Sequence, residues 1–251
     1  MEVHHHPHKP KNWIGYITEF LMLFTAVTLG FFAENVREHQ VVIERKNQNL
    51  HAMMQDLKRD SAQLKERIVE YTTAVKAFEE MKFASYQYSN KQLPKSEYIS
   101  YITQQFMILN VGNSFFCNNS AYKNTISTGS LSVIGSLKTK QLIAEYYEEL
   151  GVKLLDNNRN LDADFNVYTL SDMQVINSLN SPVVKKYAKL NEQQLLEDYK
   201  SNPDYVAAIL SPSFRLRTNK FEMRCDYYLY LMNRFYDTNQ QLLAVLGKEE
   251  F

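Results

Sequence analysis

The chain has 251 residues and no formal net charge, with 28 basic and 28 acidic side chains. This balance argues against a nucleic-acid partner, which would require a basic stripe or patch. Glycine (7) and proline (6) are scarce, which favours long helices over a turn-rich β fold. We therefore predict an all-α protein. The two cysteines, Cys117 and Cys225, are too few for a disulfide scaffold, but they could form a single bridge in an oxidising compartment.

Residues 1–12, MEVHHHPHKPKN, form a polar tail that is rich in histidine. Neutral imidazoles are common ligands of divalent metals, so a metal site in the tail is one interpretation. A histidine-rich tract is only a compositional signal, however, and a flexible leader has the same composition. We favour the leader and predict no metal ligands here.

Residues 13–33, WIGYITEFLMLFTAVTLGFFA, are predicted to span a membrane. About 21 apolar residues are needed for a helix to cross a bilayer core of about 30 Å, and Trp13 and Tyr16 suit the interface at one end. A cleaved signal peptide is the competing interpretation, but its apolar run would be shorter. In addition, Phe31-Phe32-Ala33 is a poor match to the small-residue pattern of a cleavage site. We expect an uncleaved single-pass anchor.

The charges that flank this span nearly balance under the positive-inside rule. Lys9 and Lys11 precede it, and Arg37, Arg45 and Lys46 follow it. Acidic residues between them count for little in that rule. A short N-terminal tail before one span commonly stays in the cytoplasm, so we expect the C-terminal domain to be exported, which means periplasmic in a bacterium.

Glu19 is a carboxylate inside the predicted span. Such a group costs about 2.5–3.5 kcal/mol at the centre of a bilayer on insertion scales, and it is by default a functional hypothesis. It shares a stride of seven residues with Ala26 and Ala33, whose small side chains allow another helix to approach closely. We predict an intramembrane partner contact at these three residues. Glu19 is then neutral and hydrogen-bonded at a helix contact, or extended to the headgroups, or the carrier of a proton or cation.

Residues 34–82 are predicted to form a long coiled-coil-like helix, since they contain neither proline nor glycine. Two seams recur every seven residues: the first contains Val36, Ile43, Leu50, Leu57 and Leu64, and the second contains Asn47 and Met54. A strict period of seven predicts left-handed supercoiling against another long helix, and a polar residue such as Asn47 fixes its register. The partner is either the same helix of another subunit or a later helix of this chain.

Residues 95–251 are predicted to form a helical bundle that packs with residues 34–82. Turn and cap residues divide it into helices at 96–110, 120–128, 137–179 and 211–246, with two or three short helices between 183 and 210. In the last helix Phe214, Phe221, Tyr228, Phe235 and Leu242 share the stride of seven. This stripe is typical of core rather than of a ligand pocket. We predict that the last helix lies antiparallel to the first and that the 137–179 helix completes the bundle.

Two stretches, EFLMLFTAVTLGFFAENVREH and AYKNTISTGSLSVIGSLKTKQLIAEYYEEL, carry a resemblance to known proteins. With the helix that follows the first, they resemble a group of uncharacterised single-span membrane proteins common in Bacteroidota, over residues about 19–70 and 121–150. The matching residues are Glu19, Gly30, Asn35, Thr128, Gly129, Leu131, Ile134, Leu137, Tyr146 and Tyr147. The resemblance implies an inner-membrane anchor with an α-helical domain outside the bilayer, and it implies no activity.

The sequence contains no phosphate-cradling glycine loop, no HExxH, no CxxC and no GxSxG elbow. Outside the tail the only histidines are His39 and His51, which are too far apart to share a metal. Cys117 has no histidine in a recognisable pattern nearby, so a buried or disulfide-bonded thiol is favoured over a nucleophile. We predict no catalytic residues, no metal, no cofactor and no enzymatic activity.

These features predict a membrane-anchored structural or interaction protein, an oligomeric or accessory subunit of an inner-membrane complex. Its expected partners are the lipid bilayer and either further copies of itself or other membrane-protein subunits. The alternative is a transport or proton- or ion-coupled subunit that uses the intramembrane Glu19.

Overall fold

The computed structural model describes residues 12–109, 111, 114–172 and 192–248, and every regular element in these ranges is a helix. The predicted all-α fold is confirmed. The elements are α1 (Trp13–Ser89), α2 (Lys95–Ile108), α3 (Ser120–Ser127), a 3-10 turn (Ser130–Val133), α4 (Leu137–Ala144), a π-helical segment (Glu145–Leu150), α5 (Gly151–Asp172), α6 (Glu192–Ser201), α7 (Pro203–Leu210) and α8 (Pro212–Leu246). The predicted helical residues 173–191 lie outside the described residues.

Helix α1 is a single unbroken helix of 77 residues, which corresponds to a length of about 115 Å. It contains no proline, so no position removes a backbone hydrogen bond or forces a kink. It ends at Ser89 with Asn90 as its C-cap, and the positive φ of Lys91 (58°) reverses the chain before α2 begins at Lys95.

Helix α8 lies antiparallel to the C-terminal half of α1, as predicted. The rings of Phe78 and Phe221 meet edge to face at 5.5 Å, and the Nδ2 of Asn239 donates to the carbonyl of Leu57 at 2.9 Å. Residue numbers therefore fall along α1 as they rise along α8. The aromatic stripe of α8 is buried along its whole length, which confirms its interpretation as core.

Local signals in the sequence position the remaining helices. The Oγ of Ser136 caps α4 by accepting from the backbone N–H of Thr139 at 3.2 Å, and the Oγ of Ser211 does the same for Phe214 at the start of α8. Gly129 adopts the left-handed conformation (φ 67°) expected after a helix C-terminus. The three segments between Leu137 and Asp172 form one long rod that packs on α8.

The bundle covers only part of α1. The first buried residue of α1 is Asn49, and from there to Ser89 one face of the helix is enclosed by the other elements. Residues 13–48 are mostly exposed and project from the bundle over about 54 Å. We call these residues the projecting segment.

Candidate interaction site

The projecting segment begins with the apolar residues that were predicted to cross a membrane. Among the described residues, α1 is the one helix that is long and apolar enough to do so, and none of its apolar window is buried in the bundle. A core helix of a soluble protein would be mostly buried. Two hydroxyls in this stretch are satisfied within the helix, since Thr18 donates to the carbonyl of Ile14 at 3.1 Å and Thr28 to the carbonyl of Phe24 at 2.7 Å.

The predicted intramembrane contact residues Glu19, Ala26 and Ala33 all lie in this segment and are exposed. The bundle covers none of the three. A Cβ atom added to Gly30, which lies on the same side as Ala26 and Ala33, would meet nothing within 4 Å. The predicted contact with a second helix stays a prediction, and the surface for it is accessible in this chain.

The predicted coiled-coil seam divides into two parts with different surroundings. Leu50, Leu57 and Leu64 are completely buried and Met54 is 8 % exposed, whereas Val36 is 42 % exposed and Ile43 is 44 % exposed. Asn47 is also exposed. We call the first part the bundle seam (residues 50–78) and the second part the projecting seam (residues 29–47). The partner of the bundle seam is a later helix of this chain, α8.

Helix α8 ends at the level of Met54, one heptad before the projecting seam begins at Asn47. Its last residue, Leu246, has no exposed surface, and a Cβ at Gly247 would lie 3.8 Å from the Cε of Met54. On the neighbouring side, the Nδ2 of Asn124 donates to the Oδ1 of Asn49 at 2.7 Å, so the segment around α3 closes this level of the bundle. The top of the bundle is therefore filled by the chain itself.

A buried polar cluster centred on Asp60 was not identified from the sequence. Asp60 has no exposed surface, and its Oδ1 accepts from the Nδ2 of Asn118 at 2.6 Å and from the backbone N–H of the same residue at 3.1 Å. Its Oδ2 accepts from the hydroxyl of Tyr146 at 2.8 Å. Burial raises the pKa of the Asp60 carboxyl, and these hydrogen bonds oppose the rise.

Asp56 lies one helical turn before Asp60 and binds the N-terminus of α3. Its Oδ2 accepts from the backbone N–H of Ala121 in the first turn of α3 at 3.2 Å. A carboxylate at that position satisfies a free N–H group and interacts favourably with the helix dipole. Asp56 and Asp60 are four residues apart and therefore lie on the same face of α1, next to the apolar seam at Leu57. This spacing is the signal in the sequence from which the cluster could have been found.

The π-helical segment turns two consecutive tyrosines into the bundle. Tyr146 packs on Phe235 with its ring centroid at 4.3 Å, and Tyr147 stacks on Tyr122 at 4.4 Å with an interplanar angle of 3°. The hydroxyl of Tyr147 is buried and has no hydrogen-bond partner. Burial raises the pKa of both phenols, so each is neutral and serves as core rather than as a base.

The possible disulfide between Cys117 and Cys225 is not formed, and both thiols are free. Cys117 lies near Asp60, whereas Cys225 lies on α8 between Phe221 and Tyr228, at the level of residues 71–78 of α1. The rise of α1 separates these levels by about 16–27 Å, far beyond the Cα separation of about 7 Å that a disulfide tolerates. Burial, and then the carboxyl of Asp60, raise the pKa of Cys117 to about 11.

An open cleft of about 510 Å³ lies beside the middle of α1, and its lining includes Glu66, Arg67, Ser114 and Asp162. Several of its polar groups are already paired within the chain. Arg67 forms ion pairs with Glu66 at 3.3 Å and with Glu70, and the hydroxyl of Ser114 donates to Asp162 at 3.2 Å. The guanidinium of Arg67 and the hydroxyl of Ser114 are therefore already engaged by carboxylates of the chain.

Metal ligands do not converge in the described part of the chain, where no group of three His, Cys, Asp or Glu side chains is placed to hold an ion. His39 and His51 lie separately along α1. The histidine-rich tail lies outside the described residues.

Comparison with known proteins gives no relative: no family model matches the chain, and neither a curated protein nor a solved structure is similar to it. The resemblance to single-span membrane proteins of Bacteroidota stays a prediction. What the chain does is therefore inferred from the exposed seam, the apolar segment and the closed bundle.

Proposed function

We propose that this chain is a membrane-anchored interaction protein that serves as an accessory subunit of an inner-membrane complex. One observation carries the proposal: a single unbroken helix contains both the exposed apolar segment and the central strut of the bundle. An anchor joined by a flexible linker would only tether the domain. An unbroken helix also fixes its distance from the bilayer and its orientation.

The geometry supports a role in spacing. From Ala33, at the end of the apolar segment, to Asn49, where the bundle begins, the helix rises about 24 Å. The bundle is held at this distance with no proline, no glycine and no loop between it and the membrane. The exposed seam lies in this interval, so a partner would bind next to the bilayer.

We propose the periplasmic side for the bundle, and since the flanking charges nearly balance, the orientation calls for a direct test. A thiol introduced at an exposed bundle position such as Asp226 tests this side. An impermeant maleimide should label it in intact spheroplasts, whereas labelling only after lysis would place the bundle in the cytoplasm.

Extraction and purification of the full-length chain test the proposal itself. The chain should remain in the membrane pellet after washing at alkaline pH, and it should co-purify with a stoichiometric partner in mild detergent. Release of the chain by the wash would contradict the proposed membrane anchor. Purification of a monodisperse monomer without any partner would contradict the proposed interaction role.

A second candidate function rests on Glu19, a carboxylate on the exposed face of the apolar segment. If it meets ionisable groups of a partner, the complex would couple to a proton or cation. Glu19→Gln separates the two functions, because glutamine keeps the size and hydrogen bonding but never ionises. A scaffold should retain assembly and function with this change, whereas a coupled transporter should assemble and lose ion-dependent activity.

A further inference from the structure

The projecting seam continues, along the same helix, the bundle seam on which other helices of this chain pack. Along one face of α1 the side chains at positions 50, 57 and 64 have no exposed surface, and α8 and α3 pack on this part of the helix. One heptad further toward the membrane, Ile43 is 44 % exposed, and two heptads further, Val36 is 42 % exposed. The residue types and the stride are the same, and only the covering helix is missing.

We propose that the projecting seam is covered by a membrane-spanning helix of a different protein, which leaves the bilayer beside α1 and ends below the C-terminus of α8. This rests on the proposed anchoring of α1 in a membrane. It names the kind of partner that the interaction role requires, and it excludes a second copy of this chain at residues 43–47.

A second copy is excluded there because α1 does not end at the top of the bundle. Two anchored copies would lie parallel, and each would carry its own α8 on the face that was to be shared. Met54, where α8 ends, is only about 16 Å along the helix from Ile43. Within that distance the two α1 axes would have to separate from about 10 Å to about 30 Å, a steeper divergence than the crossing angles of about 20° or about 50° at which helices usually pack.

The other side of the seam offers no route around α8. Asn49 is bonded to Asn124, and Leu50 and Leu246 are completely buried, so the chain itself occupies the space around α1 at this level. Only a helix that stops below Leu246 fits. Such a helix would follow α1 for about 15 residues beyond the membrane and then end or turn away.

The projecting seam also defines the chemistry of its partner. Val36 and Ile43 require apolar residues opposite them, and the amides of Gln40 and Asn47 require hydrogen-bonding groups once they are covered. His39 and Lys46, seven residues apart, border the seam on one side. The matching flank of the partner should therefore be acidic.

Photocrosslinking of the full-length chain in its own host membranes tests this assignment. A benzophenone amino acid at position 43 lies on the seam, and the same group at position 45 lies on the opposite face of the helix. We expect position 43, and not position 45, to crosslink to another membrane protein. The crosslinked peptide should fall within a membrane-spanning helix of that protein or within about 15 residues of it.

Three outcomes would overturn the proposal: a crosslink from position 43 to α1 of a second copy, equal crosslinking from both positions, or crosslinking to no protein. The proposed function would survive the first of these, since the chain would still be an anchored interaction protein. Release of the unsubstituted chain by an alkaline wash would instead defeat the anchoring on which both proposals rest.

A charge reversal gives an independent measurement on the same complex. Lys46→Glu should reduce recovery of the crosslinked partner by about tenfold at low ionic strength, because the substituted side chain would face an acidic flank. Arg45→Glu makes the same change in charge on the opposite face and should leave recovery unchanged. Equal effects of the two substitutions would show that the charged flank is not part of the interface.

Discussion

Tyr146 and Asp60 are joined by a 2.8 Å hydrogen bond from the phenolic hydroxyl to the carboxylate Oδ2, although 86 residues separate them in the chain. The same hydroxyl accepts from the Nδ2 of Asn239 at 3.2 Å, and that amide also donates to the carbonyl of Leu57. One buried carboxylate thus links α1, the π-helical segment and α8. These contacts fix the axial register of the bundle on α1.

We predict that Asp60→Ala lowers the free energy of unfolding by about 2–4 kcal/mol, because it leaves the N–H groups of Asn118 and the hydroxyl of Tyr146 without their acceptor. Thermal and denaturant unfolding in mild detergent would measure the change by circular dichroism. Asp226→Ala, at an exposed position of α8, is the matched control and should change the free energy by less than about 0.5 kcal/mol. Equal stability of Asp60→Ala and the unsubstituted chain would contradict a structural role of the cluster.

The stability that Asp60 contributes should depend on pH. Burial raises its folded-state pKa above the value of about 4 for an unfolded aspartate, so the folded chain holds this proton more tightly. The contribution is fully present below pH of about 4 and is lost as the pH rises through the folded-state pKa. The stability of the unsubstituted chain relative to Asp60→Asn should therefore fall as the pH rises above about 4. A constant or rising difference would contradict this sign.

Removal of the hydroxyl from Tyr146 and from its neighbour Tyr147 should have different effects on the stability of the chain. Tyr147→Phe removes a buried hydroxyl that has no partner and retains the stacking on Tyr122, so stability should be unchanged or increased. Tyr146→Phe removes the hydrogen bond to Asp60 and should cost about 1–3 kcal/mol. Each variant is the control for the other, and equal destabilisation of both would contradict the observed orientation of the π-helical segment.

The two parts of the seam should differ in their effect on folding. Leu64→Ala creates a cavity in the bundle and should lower the free energy of unfolding by about 2–5 kcal/mol. Ile43→Ala changes an exposed residue outside the bundle and should alter it by less than about 0.5 kcal/mol in the isolated chain. A large loss of stability for Ile43→Ala would mean that the chain covers this residue itself.

The cysteines should be free in the purified protein. Denaturation in the presence of an alkylating reagent and absence of a reductant should modify both Cys117 and Cys225, as counted by mass spectrometry. In the folded chain Cys225 should not react, since it is completely buried in α8. A mass that corresponds to an intact disulfide would contradict the separation of the two residues along the bundle.

The strides of seven in α1 and α8 predicted much of this architecture, because a regular apolar repeat records the face that a helix buries. The antiparallel packing of α8 on α1, which the structure shows at Phe78 and Phe221, was predicted from those strides. The Asp60 cluster did not, since its donor Asn118 lies in a loop with no repeating pattern. The π-helical segment was also missed, because EYYEEL has the composition of an ordinary α-helix. The division of the seam depends on the lengths of the two helices, 35 residues for α8 against 77 for α1.

The accessibility of spin labels along α1 in reconstituted vesicles tests the central claim most directly. Single labels at Phe24 and Glu38, in a chain with both cysteines replaced by alanine, sample the apolar segment and the projecting seam region. We predict that the label at 24 collides with oxygen but not with a water-soluble nickel complex, and that the label at 38 collides with the nickel complex. Collision of the nickel complex with the label at 24 would contradict a membrane-anchored protein.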